Sequence, residues 1–142
     1  MITINYPPTE AAVIEFATMW TDKLATENYD EAYKMLHYVG MHPGRSWVSS
    51  SSELRAWISN YGSNSPIEEE PPYVVTEIST AGGDRWDNFL ELTPDCERYE
   101  GYSGRLDWWL PLSGEWSDLQ ASFDLIKLDG RIAFVLVALR VP

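Results

Sequence analysis

The stretch Ile132-Ala-Phe-Val-Leu-Val-Ala-Leu139 sets the tightest limit on what this chain can fold into. All eight residues are apolar, so read as a strand the segment offers no polar face to water. A strand of that kind is covered on both sides. Asp129-Gly130 immediately before it is a strong hairpin signal, which makes residues 116–128 its antiparallel partner. In that partner Leu119, Ala121, Phe123 and Leu125 alternate with Gln120, Ser122 and Asp124, one buried face and one polar. Helices can cover one face of such a sheet; the other calls for a second subunit or an additional loop. The expectation is a homodimer through the outer sheet face. The same apolar run is far shorter than the ~20 residues of a membrane helix.

Helices come from the first part of the chain. Val13, Phe16, Ala17, Trp20 and Leu24 lie on one helical stripe, and Thr9 is placed to cap it after Pro7 and Pro8. A second helix starts at Asn28, with Glu31 at capping-box spacing, buries Ala32, Tyr33 and Leu36, and stops at Gly40. A third starts within the serines 49–52, with Ser50 and Glu53 at box spacing. It carries Leu54, Trp57, Ile58 and Tyr61 and stops at Gly62. Residues 62–72, with three glutamates and three prolines, read as a loop. Strand segments follow at 73–80, 86–93, 106–112, 116–128 and 131–141, the first two as a hairpin across Ala81-Gly-Gly-Asp84. The order predicts an α+β fold: three N-terminal helices packed on one face of a curved antiparallel sheet of about five strands. A length of 142 residues fits a single domain.

Charge narrows the partners. Lys and Arg number 10 against 22 Asp and Glu, a formal charge of −12. That balance argues against nucleic acid and anionic membrane, which need clustered cations. Residues 1–100 hold 17 acids and 6 bases, whereas residues 101–142 hold 5 and 4. The acidity therefore belongs to the helices, loops and first strands. A lone cysteine, Cys96, and a start without basic or long apolar character suit a cytoplasmic protein without a secretory leader.

The order of elements, the Tyr29-Asp-Glu-Ala-Tyr33 helix, and the closing Phe123-Asp-Leu125 and Asp129-Gly-Arg-Ile132 resemble the nuclear transport factor 2-like (cystatin-like) superfamily. The segment from Trp108 to Phe123 also resembles small bacterial domains of that kind with no assigned activity. The resemblance implies a cone-shaped α+β domain. Its members include isomerases, dehydratases, cyclases, transport adaptors and proteins of unknown role, so architecture is narrowed further than function. In the enzymes the cone holds a small apolar ligand beside acid–base side chains.

Under an enzyme reading, the candidates are Tyr33 and His37, one helical turn apart, with Asp107 as a general base. The plainer account makes Tyr33 core, His37 a helix-end residue and Asp107 a strand-edge acid. Asp124 is set aside by parity, since it alternates with Phe123 and Leu125. Trp108 and Trp109 are candidates for stacking on a ligand, although tryptophans in hairpins pack mostly across strands. No metal is expected, because His37, His42 and Cys96 lack ligand spacing, and no cofactor motif is present. The glutamates 68–70 read as a solvated loop. These features favour a non-catalytic binding domain that presents an acidic surface to a basic protein partner, as an immunity or adaptor protein does. The alternative is an isomerase, dehydratase or cyclase with an apolar pocket in the cone.

Overall fold

Helix α1 (Glu10–Ala25) forms where the apolar stripe requires it. Thr9 Oγ1 accepts from the Ala12 N–H at 3.3 Å, and Val13, Phe16, Ala17, Trp20 and Leu24 are all buried. In the computed structural model residues 1–37, 48, 50–62, 72–93 and 99–142 are described. Gly40, His42, the glutamates 68–70 and Cys96 lie outside them.

Helix α2 (Tyr29–Lys34) is shorter than its sequence pattern suggests, and Asn28 makes no side-chain cap. The reason for the early end is tertiary: the His37 N–H donates to the Phe134 carbonyl at 2.8 Å instead of continuing the helix. Helix α3 (Ser51–Ser59) starts as read, with Ser50 Oγ accepting from the Glu53 N–H at 3.1 Å. It closes through Gly62, whose N–H reaches the Trp57 carbonyl at 2.7 Å with φ +78.

Strands β1 (Ile4–Asn5), β2 (Phe89–Leu92), β3 (Tyr102–Leu112), β4 (Glu115–Leu128) and β5 (Arg131–Arg140) form one antiparallel sheet in the order β1-β5-β4-β3-β2. The fold is α+β, and irregularities between Tyr102 and Gly104, Trp109 and Pro111, and Ser122 and Phe123 help the sheet curl. The helices do not make one N-terminal block, because β1 precedes them. A 3-10 turn (Ile78–Thr80) follows α3. Arg131 holds β1 in place, donating from Nε to Thr3 Oγ1 at 2.7 Å and from Nη1 to Asn5 Oδ1 at 2.9 Å.

The hairpin expected between residues 73–80 and 86–93 does not form. Val75 instead bridges Leu112, the Thr76 N–H bonds the Pro111 carbonyl at 3.1 Å, and β2 pairs with the far half of β3. An eleven-residue β3 offers enough edge for both segments in line.

The inner sheet face and the helices share an aromatic core. Phe16 stacks on Phe134 at 3.7 Å between ring centres, while Trp20 meets Phe123 edge-on at 4.9 Å. The outer face departs from expectation. Ser122, Ile126, Ala133 and Val135 are 0% exposed within the single chain. Cover over β4 and β5 thus comes from the chain itself, and the apolar β5 does not call for a second subunit. The outer positions of β4 are buried rather than an open polar face.

Gly104 pairs with Leu92 where β2 runs against β3. It has φ +147, and a Cβ there would stand 2.3 Å from the Glu91 carbonyl oxygen. Gly104→Ala is expected to push β2 off the sheet, costing about 1–3 kcal/mol. Urea denaturation measures that loss, and amide exchange should show protection fall first at β2.

Candidate functional site

The space between helices and sheet, where an apolar ligand was anticipated, is occupied by side chains. Phe16, Trp20, Trp108, Phe123 and Phe134 meet there with at most 2% exposure. Trp108 is fixed within this layer: its Nε1–H donates to Thr21 Oγ1 at 2.9 Å, and Thr21 donates onward to the Ala17 carbonyl at 2.8 Å. The tryptophan is a core residue rather than a ligand platform.

The enzyme candidates are not brought together. His37 lies past the end of α2, so no helical turn pairs it with Tyr33, which packs against the core. The His37 backbone borders β5 on the edge away from β4, whereas Asp107 is on β3. Three strand spacings, about 14 Å, separate the two positions. Asp107 is itself engaged: Oδ1 accepts from Ser122 Oγ at 2.7 Å and from Arg105 Nε at 3.0 Å. A carboxylate held by an arginine and a hydroxyl serves as an anchor and lacks the freedom of a general base.

Alternation along β3 creates the more distinctive surface. Leu106, Trp108 and Leu110 point to the core, which sends Arg105, Asp107 and Trp109 to the outer face. Cross-strand pairing adds Phe89 opposite Asp107, Glu91 opposite Arg105, Ser122 opposite Asp107 and Asp124 opposite Arg105. Asp124 is buried and accepts from the Tyr99 hydroxyl at 2.6 Å. Toward β2 this face opens to solvent, with Trp86 58% and Phe89 50% exposed. Trp86 meets Trp109 edge-on at 4.8 Å, and Trp109 Nε1 donates to the Asp87 carbonyl at 3.0 Å.

Charge around these aromatics is mainly negative. Asp84, Asp87 and Glu91 are exposed. The Arg85 guanidinium is drawn over the Trp108 and Trp116 rings, 4.7 and 4.4 Å from their centres, and burial lowers its pKa from the ordinary arginine value. Arg105 is committed to Asp107. The arrangement combines flat apolar contact area with carboxylates that make no ion pair among the described residues, a chemistry suited to a cationic partner. Sequence reasoning found Trp109 and Asp107 but missed Trp86, Phe89, Asp84, Asp87 and Glu91. Alternation in Phe89-Leu-Glu-Leu92 was the available signal, since it sets Phe89 and Glu91 opposite the two leucines.

Among the described residues, two clefts border the helices. One, of about 220 Å³, is lined by residues that include Glu27, Tyr29, Asp30, Ser51 and Arg55. Ser51 Oγ donates to Asp30 Oδ1 at 2.5 Å, and the Arg55 guanidinium stands 5.6 Å from the Tyr29 ring centre. Burial raises the Tyr29 phenol above its ordinary pKa; Arg55 opposes this and Glu27 adds to it. The other, of about 400 Å³, is lined by Met1, Lys34, Leu36 and His37. Among the described residues no group of three or more His, Cys, Asp or Glu could hold a metal ion, and no helix is long and apolar enough to cross a membrane.

Trp86→Ala should cost only about 0.5–1.5 kcal/mol, the worth of its edge-on contact with Trp109. Trp108→Ala should cost about 3–5 kcal/mol. Chemical denaturation of the two variants distinguishes a displayed tryptophan from a structural one. Tyr29 adds a pH dependence. With the folded pKa above the unfolded one, its stabilising contribution is complete below the ordinary tyrosine pKa of ~10 and disappears as pH rises through the folded value. Wild type should therefore lose more stability than Tyr29→Phe as pH rises above ~10, read from urea midpoints at successive pH values.

No family model, no curated protein and no solved structure matches this chain, so its functional reading rests on the geometry of the sheet face and the filled interior.

Proposed function

We propose that the chain is a non-catalytic binding domain of nuclear transport factor 2-like fold. It engages a basic protein partner through the acidic, aromatic outer face at β2 and β3, in the manner of an immunity or adaptor protein. The observation that carries the reading is Trp86 and Phe89, more than half and half exposed, beside the exposed carboxylates Asp84, Asp87 and Glu91. Exposed aromatics of this size are costly to leave in water and are favoured at the centres of interfaces. A formal charge of −12 draws a cationic partner over a distance and speeds encounter. The α+β order and the curled five-stranded sheet support the fold assignment. Core rings occupying the place of a ligand weigh against the isomerase, dehydratase or cyclase alternative.

The experiment is co-purification from the source cells at low and high salt, with the bound protein identified. A basic partner released by salt is expected. It should be lost from the triple variant Asp84→Lys, Asp87→Lys, Glu91→Lys and from Trp86→Ala, both folded by circular dichroism. An acidic partner, or equal retention by the charge-reversed variant, overturns the reading.

A further inference from the structure

The two edges of the sheet are treated differently. Beside β5, one edge is occupied by β1 and then by the His37 N–H on the Phe134 carbonyl. At the other edge stands β2, the last strand in the sheet order. The ladder fixes which of its backbone groups are spare. Thr93 N–H bonds the Ser103 carbonyl at 3.1 Å, and the pairing of Glu91 with Arg105 and Phe89 with Asp107 continues that register. Hydrogen-bonded pairs in an antiparallel ladder recur every second residue. Phe89, Glu91 and Thr93 therefore bond inward to β3, while the N–H and C=O groups of Leu90 and Leu92 face outward. Among the described residues none pairs with them. The strand Phe89–Leu92 is short and carries one charge, Glu91, which repels acidic strands and admits basic ones; it has no lysine, proline or bulge to block pairing.

We infer that β2 is the docking edge for an extended basic segment of a protein partner, which adds to the sheet as a sixth strand beside Leu90 and Leu92. The inference rests on the proposed binding role and specifies its mode. Backbone pairing supplies attachment in strand addition, and side chains on alternate positions supply choice. Here Asp84, Asp87 and Glu91 line the approach, so lysine or arginine on the added strand finds opposite charge, and the exposed Trp86 and Phe89 offer it ring faces. Charge also decides against a second copy of this chain as occupant, since each copy carries −12. In the register that pairs Leu90 with Leu92 of a second copy, Glu91 would face its own equivalent. Asn88 Oδ1 and Thr93 Oγ1, one at each end of the strand, are buried without a hydrogen-bond partner.

The test uses the full ¹⁵N-labelled chain at low salt with three capped octapeptides. One alternates lysine and valine, one is its analogue N-methylated on every internal amide, and one alternates glutamate and valine. Edge pairing requires that the first shift the Leu90 and Leu92 amide signals and slow their exchange at least tenfold. The N-methylated analogue should bind at least tenfold more weakly, and the acidic peptide should not bind. If both basic peptides bind equally and move only Asp84, Asp87 and Glu91, edge pairing is wrong while the acidic docking face stands. If neither basic peptide binds, both ideas fall. Protection of Leu90 and Leu92 that grows with protein concentration alone assigns the edge to a second copy and overturns the choice of partner.

Discussion

The stack of Phe16 on Phe134 is the contact on which most of the molecule depends, because it ties the first helix to the last strand. Phe123 closes edge-on against both rings, and Trp20 closes on Phe123 from the next helical turn. Four large rings, one pair stacked and the other contacts edge to face, fill this space densely. One consequence is kinetic. The contact spans nearly the whole chain, so it closes a long loop, and the antiparallel ladder around it is dominated by β3, β4 and β5. Another bears on the proposed binding role. With these rings committed to packing, the exposed aromatics are on the outside of the sheet.

That outside is divided by burial. Over β4 and β5 the outer positions are closed to solvent and hold Ser122, Asp124, Ala133 and Val135. Their polar members are satisfied locally, Ser122 by Asp107 and Asp124 by Tyr99. Toward β2 the same face turns exposed, aromatic and acidic. Among the described residues, Arg105 is engaged with a carboxylate and Arg85 with two indole rings. Both are thereby drawn away from the exposed carboxylates Asp84, Asp87 and Glu91.

Long-period features were legible in the sequence. The stripe of α1, the Ser50 cap and the Asp129-Gly130 hairpin all came through, since each depends on neighbours in the chain. What escaped depends on distant partners. Helix α2 is cut short by a carbonyl about a hundred residues away on β5. The two-residue β1 exists because Arg131 grips Thr3 and Asn5. Residues 73–80 carry strand composition, but the length of β3 decides where they lie. At the site, parity sets Asp124 aside, and the same alternation puts Asp107 on the outer face as well, where Arg105 and Ser122 tie it down. The exposure of Trp86 and Phe89 depends on which strand ends the sheet, and composition does not encode strand order.

The contrast between the sheet's two edges has a consequence for assembly. Growth by repeated strand addition needs a free edge on both sides of each unit, so that every arrival presents a new one. In this chain β1 and the His37 backbone already pair with β5 from Arg131 to Phe134. Any pairing at β2 between like molecules consumes the open edge of each, and the occupied start of β5 shortens the edge left for a further copy. This asymmetry works against open-ended growth into fibres.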